Sequence, residues 1–259
     1  MSARPSASCT ANLALEMGRG LRQKMPAKDQ WRQSIRPRIE AARELLKKLP
    51  IDDLVLASGG RFQEDHLELS LFDTPLAVSI PDFAVTEADG RVCREKTQIL
   101  LLDYLVRAGR AQTSPPSSEA TPVSRRWIGF QELPDGAFYV KAFRSYTSDV
   151  LVSGLNGDTD AFRQAVDHFG GEPFSLGDAA ASFRALPSIC LAVVWWAGDD
   201  EFPANASVLF DRAASRALPI DGLAALGSRL CQGLLGVADD ETNDEICTMD
   251  SEPMLLGKE

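Results

Sequence analysis

A chain of 259 residues with 27 basic and 37 acidic side chains, 44% hydrophobic residues, five cysteines and two histidines has the composition of an ordinary globular protein, sized for one large domain or two small ones. That excludes disorder throughout, collagen and coiled coil, and the longest apolar run, Ile189 to Ala197, is nine residues where a membrane-spanning helix needs roughly 20. The net charge of −10 argues against a nucleic-acid surface, because phosphate binding wants a basic face.

The charge is unevenly spread. Residues 1 to 50 hold eleven Lys and Arg against four Asp and Glu, which leaves sixteen against thirty-three for the rest. Residues 1–27 show poor periodicity and several Ser, Gly and Pro, the pattern of a flexible basic leader with no secretory apolar core. From Asp29 the spacing turns helical, with Trp31, Ile35, Ile39, Ala42, Leu45, Leu46 and Leu49 on one face. Pro37 is expected to kink or divide this helix and Pro50 to end it. The alternation of His66 to Phe72 predicts a half-buried strand, Asp73-Thr74-Pro75 a turn, and Leu76 to Ile80 the returning strand of a hairpin. Arg94 to Arg107 predicts a helix with Gly109 as its stop.

Residues 111–124, rich in Ser, Thr and Pro without periodicity, read as a disordered insertion. Aromatic residues gather after it, and Pro134-Asp135-Gly136 is a turn signal between extended segments. Asp158 is placed to cap a helix through Phe169, closed by Gly170-Gly171. The apolar, β-branched run Ile189 to Trp196 predicts a central strand covered on both faces. Ala204 to Ala217 and Ile220 to Leu235 read as two closing helices, and residues 239–259 as an acidic tail, with seven acids and no base between Asp239 and Glu252. Strands mix with helices without regular βαβ alternation, so the fold class is α+β: one domain over residues 28–238, with an antiparallel or mixed sheet around a central buried strand.

Cys9, Cys93, Cys190, Cys231 and Cys247 are dispersed, with no C-x-x-C pair. They offer no iron–sulfur or zinc ligand set, and they fit reduced thiols in a cytoplasmic protein. His66 and His168 lie far apart, in no ligand spacing. Carboxylates are the better candidates for chemistry. Asp199, Asp200 and Glu201 follow the apolar strand directly. Burial of such neighbours would raise a pKa or recruit a hard cation, whereas a helix starting beyond Pro203 would make them dipole-stabilising acids. Glu132, flanked by Trp127 and Phe130, is either a desolvated acid or a strand residue paired with an Arg. Asp211 is the remaining acid, a helix-surface residue or a cap on the plainer reading. Trp127, Phe130, Trp196, Gly198 and Phe202 are the candidate ligand-binding residues.

Several strings resemble a known family. Gln98 to Leu105, Trp127-x-x-Phe130-x-Glu132-Leu133-Pro134-x-Gly136, Leu186-Pro187 before a strand, and Trp196-x-Gly198-Asp199-x-Glu201-Phe202-Pro203-Ala204 with Leu209-Phe210-Asp211 resemble domain of unknown function 3786, over about residues 30 to 235. That is a prokaryotic family frequent in anaerobic bacteria and archaea. The resemblance carries over no activity. Some members resemble fusions to an iron–sulfur domain of the corrinoid protein type, which implies a link to corrinoid or one-carbon metabolism; the clustered cysteines of that domain are missing here. The expectation is a small-molecule or cofactor-binding accessory protein, with a corrinoid as possible ligand or a protein as partner. Its two aromatic and acidic motifs would meet at the end of the central strand, and Trp127 and Trp196 would line the pocket. The alternative is a metal-dependent or acid/base enzyme using Glu132, Asp199, Glu201 and Asp211.

Overall fold

The computed structural model describes residues 27–111 and 125–236. The leader, the Ser/Pro insertion and the acidic tail fall almost wholly outside those residues, as does the side chain of Trp31.

Helix α1 (Ala27–Leu46) runs on past Pro37, and Ile35, Ile39, Ala42 and Leu46 form its buried face. A short α2 (Ile51–Ser58) follows Pro50 and ends on Gly59 in the left-handed region. The first sheet is a meander of β1 (Arg61–Gln63), β2 (His66–Leu71), β3 (Thr74–Ser79) and β4 (Val85–Glu87), antiparallel throughout. Leu67, Leu69 and Leu71 alternate into the core, as their period of two requires.

Helix α3 (Glu95–Ala111) continues through Gly109 instead of stopping there. The reason is packing: a Cβ on Gly109 would lie 2.7 Å from the Leu54 side chain and 2.8 Å from that of Leu49, so the glycine lets α2 and the turn after α1 close onto α3. Tyr104 of α3 is fully buried, donates its hydroxyl to the Ser58 carbonyl at 2.7 Å, and accepts from the Ser188 hydroxyl at 3.0 Å.

The second sheet has the order β5 (Trp127–Gly129), β9 (Asn205–Asp211), β8 (Ile189–Trp196), β7 (Ala179–Leu186), β6 (Glu172–Pro173), again antiparallel. The central strand β8 is buried from Ile189 to Trp195. Between β5 and β6 come a 3₁₀ turn (Phe130–Glu132) and three helices, α4 (Gly136–Ser145), α5 (Ser148–Gly154) and α6 (Thr159–His168). The Asp158 carboxylate caps α6 by accepting from the N–H groups of Asp160 and Ala161. After β9, α7 (Ala214–Ala217) and α8 (Ile220–Leu234) close the domain. The fold is α+β, with both sheets and the helices sharing one core.

Two expectations are corrected here. Residues 205 to 211 form a strand, not part of a helix, because Ala206, Val208 and Phe210 alternate into the core and complete the ladder of β8. After Pro134 comes helix α4, not a strand: Asp135 takes the left-handed conformation and Gly136 starts the helix.

The tip of the β2–β3 hairpin reaches the second sheet, where the Phe72 N–H donates to the Ala185 carbonyl at 2.8 Å.

Candidate functional site

Side chains alternate along a strand, so register divides the five-stranded sheet into two faces. On one, Leu191, Val193 and Trp195 stand beside Phe210, Val208 and Ala206. The helices cover this face: Phe162 of α6 stacks on Trp195 with centroids 5.0 Å apart, and Phe143 of α4 packs on Phe210 at 5.9 Å. The other face carries Cys190, Ala192, Val194 and Trp196 beside Leu209, Ser207 and Asn205. Trp127, from the edge strand β5, lies half-buried and stacks on Phe174 at 5.8 Å.

Register also separates the two motifs. Trp196 pairs with Asn205 at one end of β9, and Trp127 pairs with Asp211 at the other. Six residues of extended chain, roughly 20 Å, lie between. The two motifs therefore do not meet at one end of the central strand.

Each candidate acid has a local partner. Asp199 accepts from the N–H groups of Glu201 (2.8 Å) and Phe202 (2.7 Å), and these bonds hold its carboxyl below the usual carboxylate range. It closes a solvent-exposed loop, not a helix N-terminus. Gly198 is required there because a Cβ would stand 2.7 Å from the Ala204 nitrogen. Glu201 is exposed in that loop. Glu132 is exposed too and closes the 3₁₀ turn by accepting from the Gly129 N–H at 2.9 Å. Asp211 accepts from Arg125 at 2.7 Å, with side chains 16% and 9% exposed, and also caps the Ala213 N–H. Among the described residues no three His, Cys, Asp or Glu side chains gather as a metal site.

The aromatic candidates divide as well. Phe130 is a core residue stacked on Phe143 at 4.0 Å. Trp196 and Phe202 are 38% and 67% exposed. Burial pushes the Cys93 thiol up to about 11 and raises those of Cys190 and Cys231, so all three are protonated core residues at neutral pH.

Two clefts lie elsewhere on the described residues. A cleft of about 680 Å³ opens where the hairpin sheet meets β7, lined by Leu69, Phe72, Leu186 and Pro187, with Arg61 and Arg184 among its polar walls. Its volume is in the range of small-molecule sites, and its mix of apolar floor and few charged groups is typical of them. Glu68, also on its wall, is engaged by Gln63 at 2.9 Å. Arg184 donates to the Pro187 carbonyl at 3.0 Å, a bond that leaves its remaining N–H donors for a ligand. Neither Trp127 nor Trp196 lines this cleft. The sequence signal for it was there: Leu186-Pro187 was among the recognisable strings, and Arg184 is the one charge within the apolar strand Ala179–Leu186. A second cleft, of about 600 Å³, lies between α1, α3 and the α7–α8 junction and holds Arg38, Arg107, Arg110 and Arg216. No helix among the described residues is long and apolar enough to cross a membrane.

Comparison with known proteins agrees with the motif strings. The model of a family described as domain of unknown function (DUF3786) matches residues 51–233, about 70% of the chain. No curated protein and no solved structure matches.

Proposed function

The chain belongs to the DUF3786 family, and from that premise we propose that it is a small-molecule-binding accessory protein of the cytoplasm whose ligand lies in the cleft between the two sheets. One observation carries this reading. The cleft joins a buried apolar floor (Leu69, Leu186) to two guanidinium groups, those of Arg61 and Arg184, and every residue lining it falls within the stretch that matches the family. Among the described residues neither arginine has a carboxylate at ion-pair distance. Such a lining favours a compact amphipathic molecule with an anionic end, its carboxylate or phosphate on the guanidinium forks and its apolar body on the floor.

The link to corrinoid or one-carbon metabolism rests on the family resemblance; a corrinoid macrocycle is larger than this cleft, so it is titrated as the comparison ligand beside compact carboxylates and phosphates. The enzyme reading has less behind it, since Glu132 and Asp199 each commit one carboxylate oxygen to a turn or a loop and Asp211 commits both, to Arg125 and the Ala213 N–H.

Native mass spectrometry of freshly purified protein, followed by calorimetric titration with a corrinoid and with small carboxylates, tests the proposal. A bound mass or a titratable ligand whose affinity falls at least tenfold in Arg184→Ala and in Arg61→Ala is the expected result. Binding unchanged in both variants, or none at all, overturns it.

A further inference from the structure

The second cleft has a different chemistry. On α3, Asp103, Val106, Arg107 and Arg110 recur at i, i+3, i+4 and i+7 and so form one stripe. Arg38 and Leu45 of α1 stand on one side of it, with Arg216 of α7 and Pro219 on the other. Four guanidinium groups thus share one groove with Asp103. Arg38 is engaged twice, by Asp103 at 3.4 Å and by Asp221 at 4.0 Å. Arg107, Arg110 and Arg216 have no carboxylate at ion-pair distance among the described residues. Like charges lining one groove repel one another, and a multivalent anion there offsets that repulsion while it gains the forked hydrogen bonds that guanidinium groups form with phosphate. Leu45, Val106 and Pro219 supply an apolar wall beside the charges. The volume, about 600 Å³, suits a ligand larger than an inorganic ion.

We infer that this groove is a second binding site, separate from the cleft between the sheets, for a phosphate-rich small molecule of the nucleoside di- or triphosphate class. Its phosphates lie on Arg107, Arg110 and Arg216, and its ring lies against Leu45, Val106 and Pro219. Arg38 and Leu45 precede the stretch that matches the family, so α1 completes this site from outside the family domain.

The test is calorimetric titration of the full chain with ATP, ADP, pyrophosphate and inorganic phosphate at two salt concentrations, using the double variant Arg107→Ser/Arg110→Ser and, as a control, Arg184→Ala. Both substituted arginines are exposed, so the double variant keeps its fold, and an unchanged thermal midpoint verifies it. The proposal expects nucleotides to bind more tightly than pyrophosphate and pyrophosphate more tightly than phosphate. Nucleotide affinity should fall at least tenfold in the double variant, weaken with salt, and stay unchanged in Arg184→Ala. No nucleotide binding, equal binding by the double variant, or a loss in Arg184→Ala matching that in the double variant overturns it. A single-stranded oligonucleotide that binds as tightly per site as ATP also overturns it, because the arginines would then serve a polyanion without a pocket for its ring.

Discussion

Replacing Tyr104 by Phe removes one oxygen from the point where α2, α3 and the β7–β8 turn meet. The hydroxyl donates to the Ser58 carbonyl at 2.7 Å and accepts from the Ser188 hydroxyl at 3.0 Å, and both Tyr104 and Ser58 are 0% exposed. Without it the Ser58 carbonyl is left buried and unpaired, which costs about 1–3 kcal/mol. The Ser188 hydroxyl is less buried and can turn to water, so its loss adds only about 0.5 kcal/mol. The expected destabilisation is then about 2 kcal/mol, and for a domain of this size the melting temperature should fall by about 4–8 °C. Urea unfolding of the wild type, Tyr104→Phe, Ser188→Ala and the double variant measures it, with an unchanged m value showing that only stability has moved. Ser188→Ala should cost much less than Tyr104→Phe. Burial also raises the Tyr104 pKa. The stability linked to its protonated form is complete below the ordinary tyrosine value and is lost as the pH rises through the raised one, so Tyr104→Phe should flatten the alkaline limb of the stability curve. A Tyr104→Phe loss under about 0.5 kcal/mol, or a Ser188→Ala loss equal to it, would refute the reasoning.

Removing the Asp211 charge in Asp211→Asn leaves the nearly buried Arg125 without its counter-charge; the cost should be about 3 kcal/mol in the same urea assay, with Arg125→Ala similar in size. Gly136→Ala would bring a Cβ to 1.8 Å from the Phe130 carbonyl oxygen. Since backbone must move to admit it, a loss of about 3 kcal/mol and a shifted near-ultraviolet circular dichroism signal are expected, and a neutral outcome would contradict the tight turn described. Asp199 is held below the usual carboxylate range by two N–H groups, so its contribution is present above the unfolded-state value and fades as the pH falls through the depressed one. Nuclear magnetic resonance titration should find the amide shifts of Glu201 and Phe202 following that low midpoint, and Asp199→Asn should abolish the titration.

Much of the architecture is legible in the sequence where periodicity is long or chemistry is local. The faces of α1 and α3, the β2–β3 hairpin, the central strand β8 and the Asp158 cap all follow from spacing or from a side chain satisfying its own neighbours. The β9 strand is hidden by the alanines around it, Ala204, Ala206, Ala213 and Ala214, which favour a helix locally; pairing with β8 and the alternating burial of Ala206, Val208 and Phe210 decide otherwise. Gly109 reads as a stop because its reason for being glycine, contact with Leu54 of α2 and with Leu49 in the turn before it, comes from outside its own helix. At the site, sequence marks the acids as unusual and cannot show that most serve turns and caps. Leu186-Pro187 and Arg184 mark one wall of the first cleft in the sequence, but Arg61 faces them from a different sheet, and the four arginines of the groove come from three helices, so neither grouping is legible along the chain.

The bond from Phe72 to Ala185 that joins the hairpin to β7 has a further consequence. The Phe72 amide proton is withheld from solvent only while the hairpin sits on its neighbour, so the rate at which it exchanges for deuterium is a clock for separation of the two walls of the cleft. A ligand that touches both walls must slow that clock, and one that grips a single wall leaves it unchanged. The protein thus carries, in one hydrogen atom, its own reporter of whether a bound molecule bridges the two sheets.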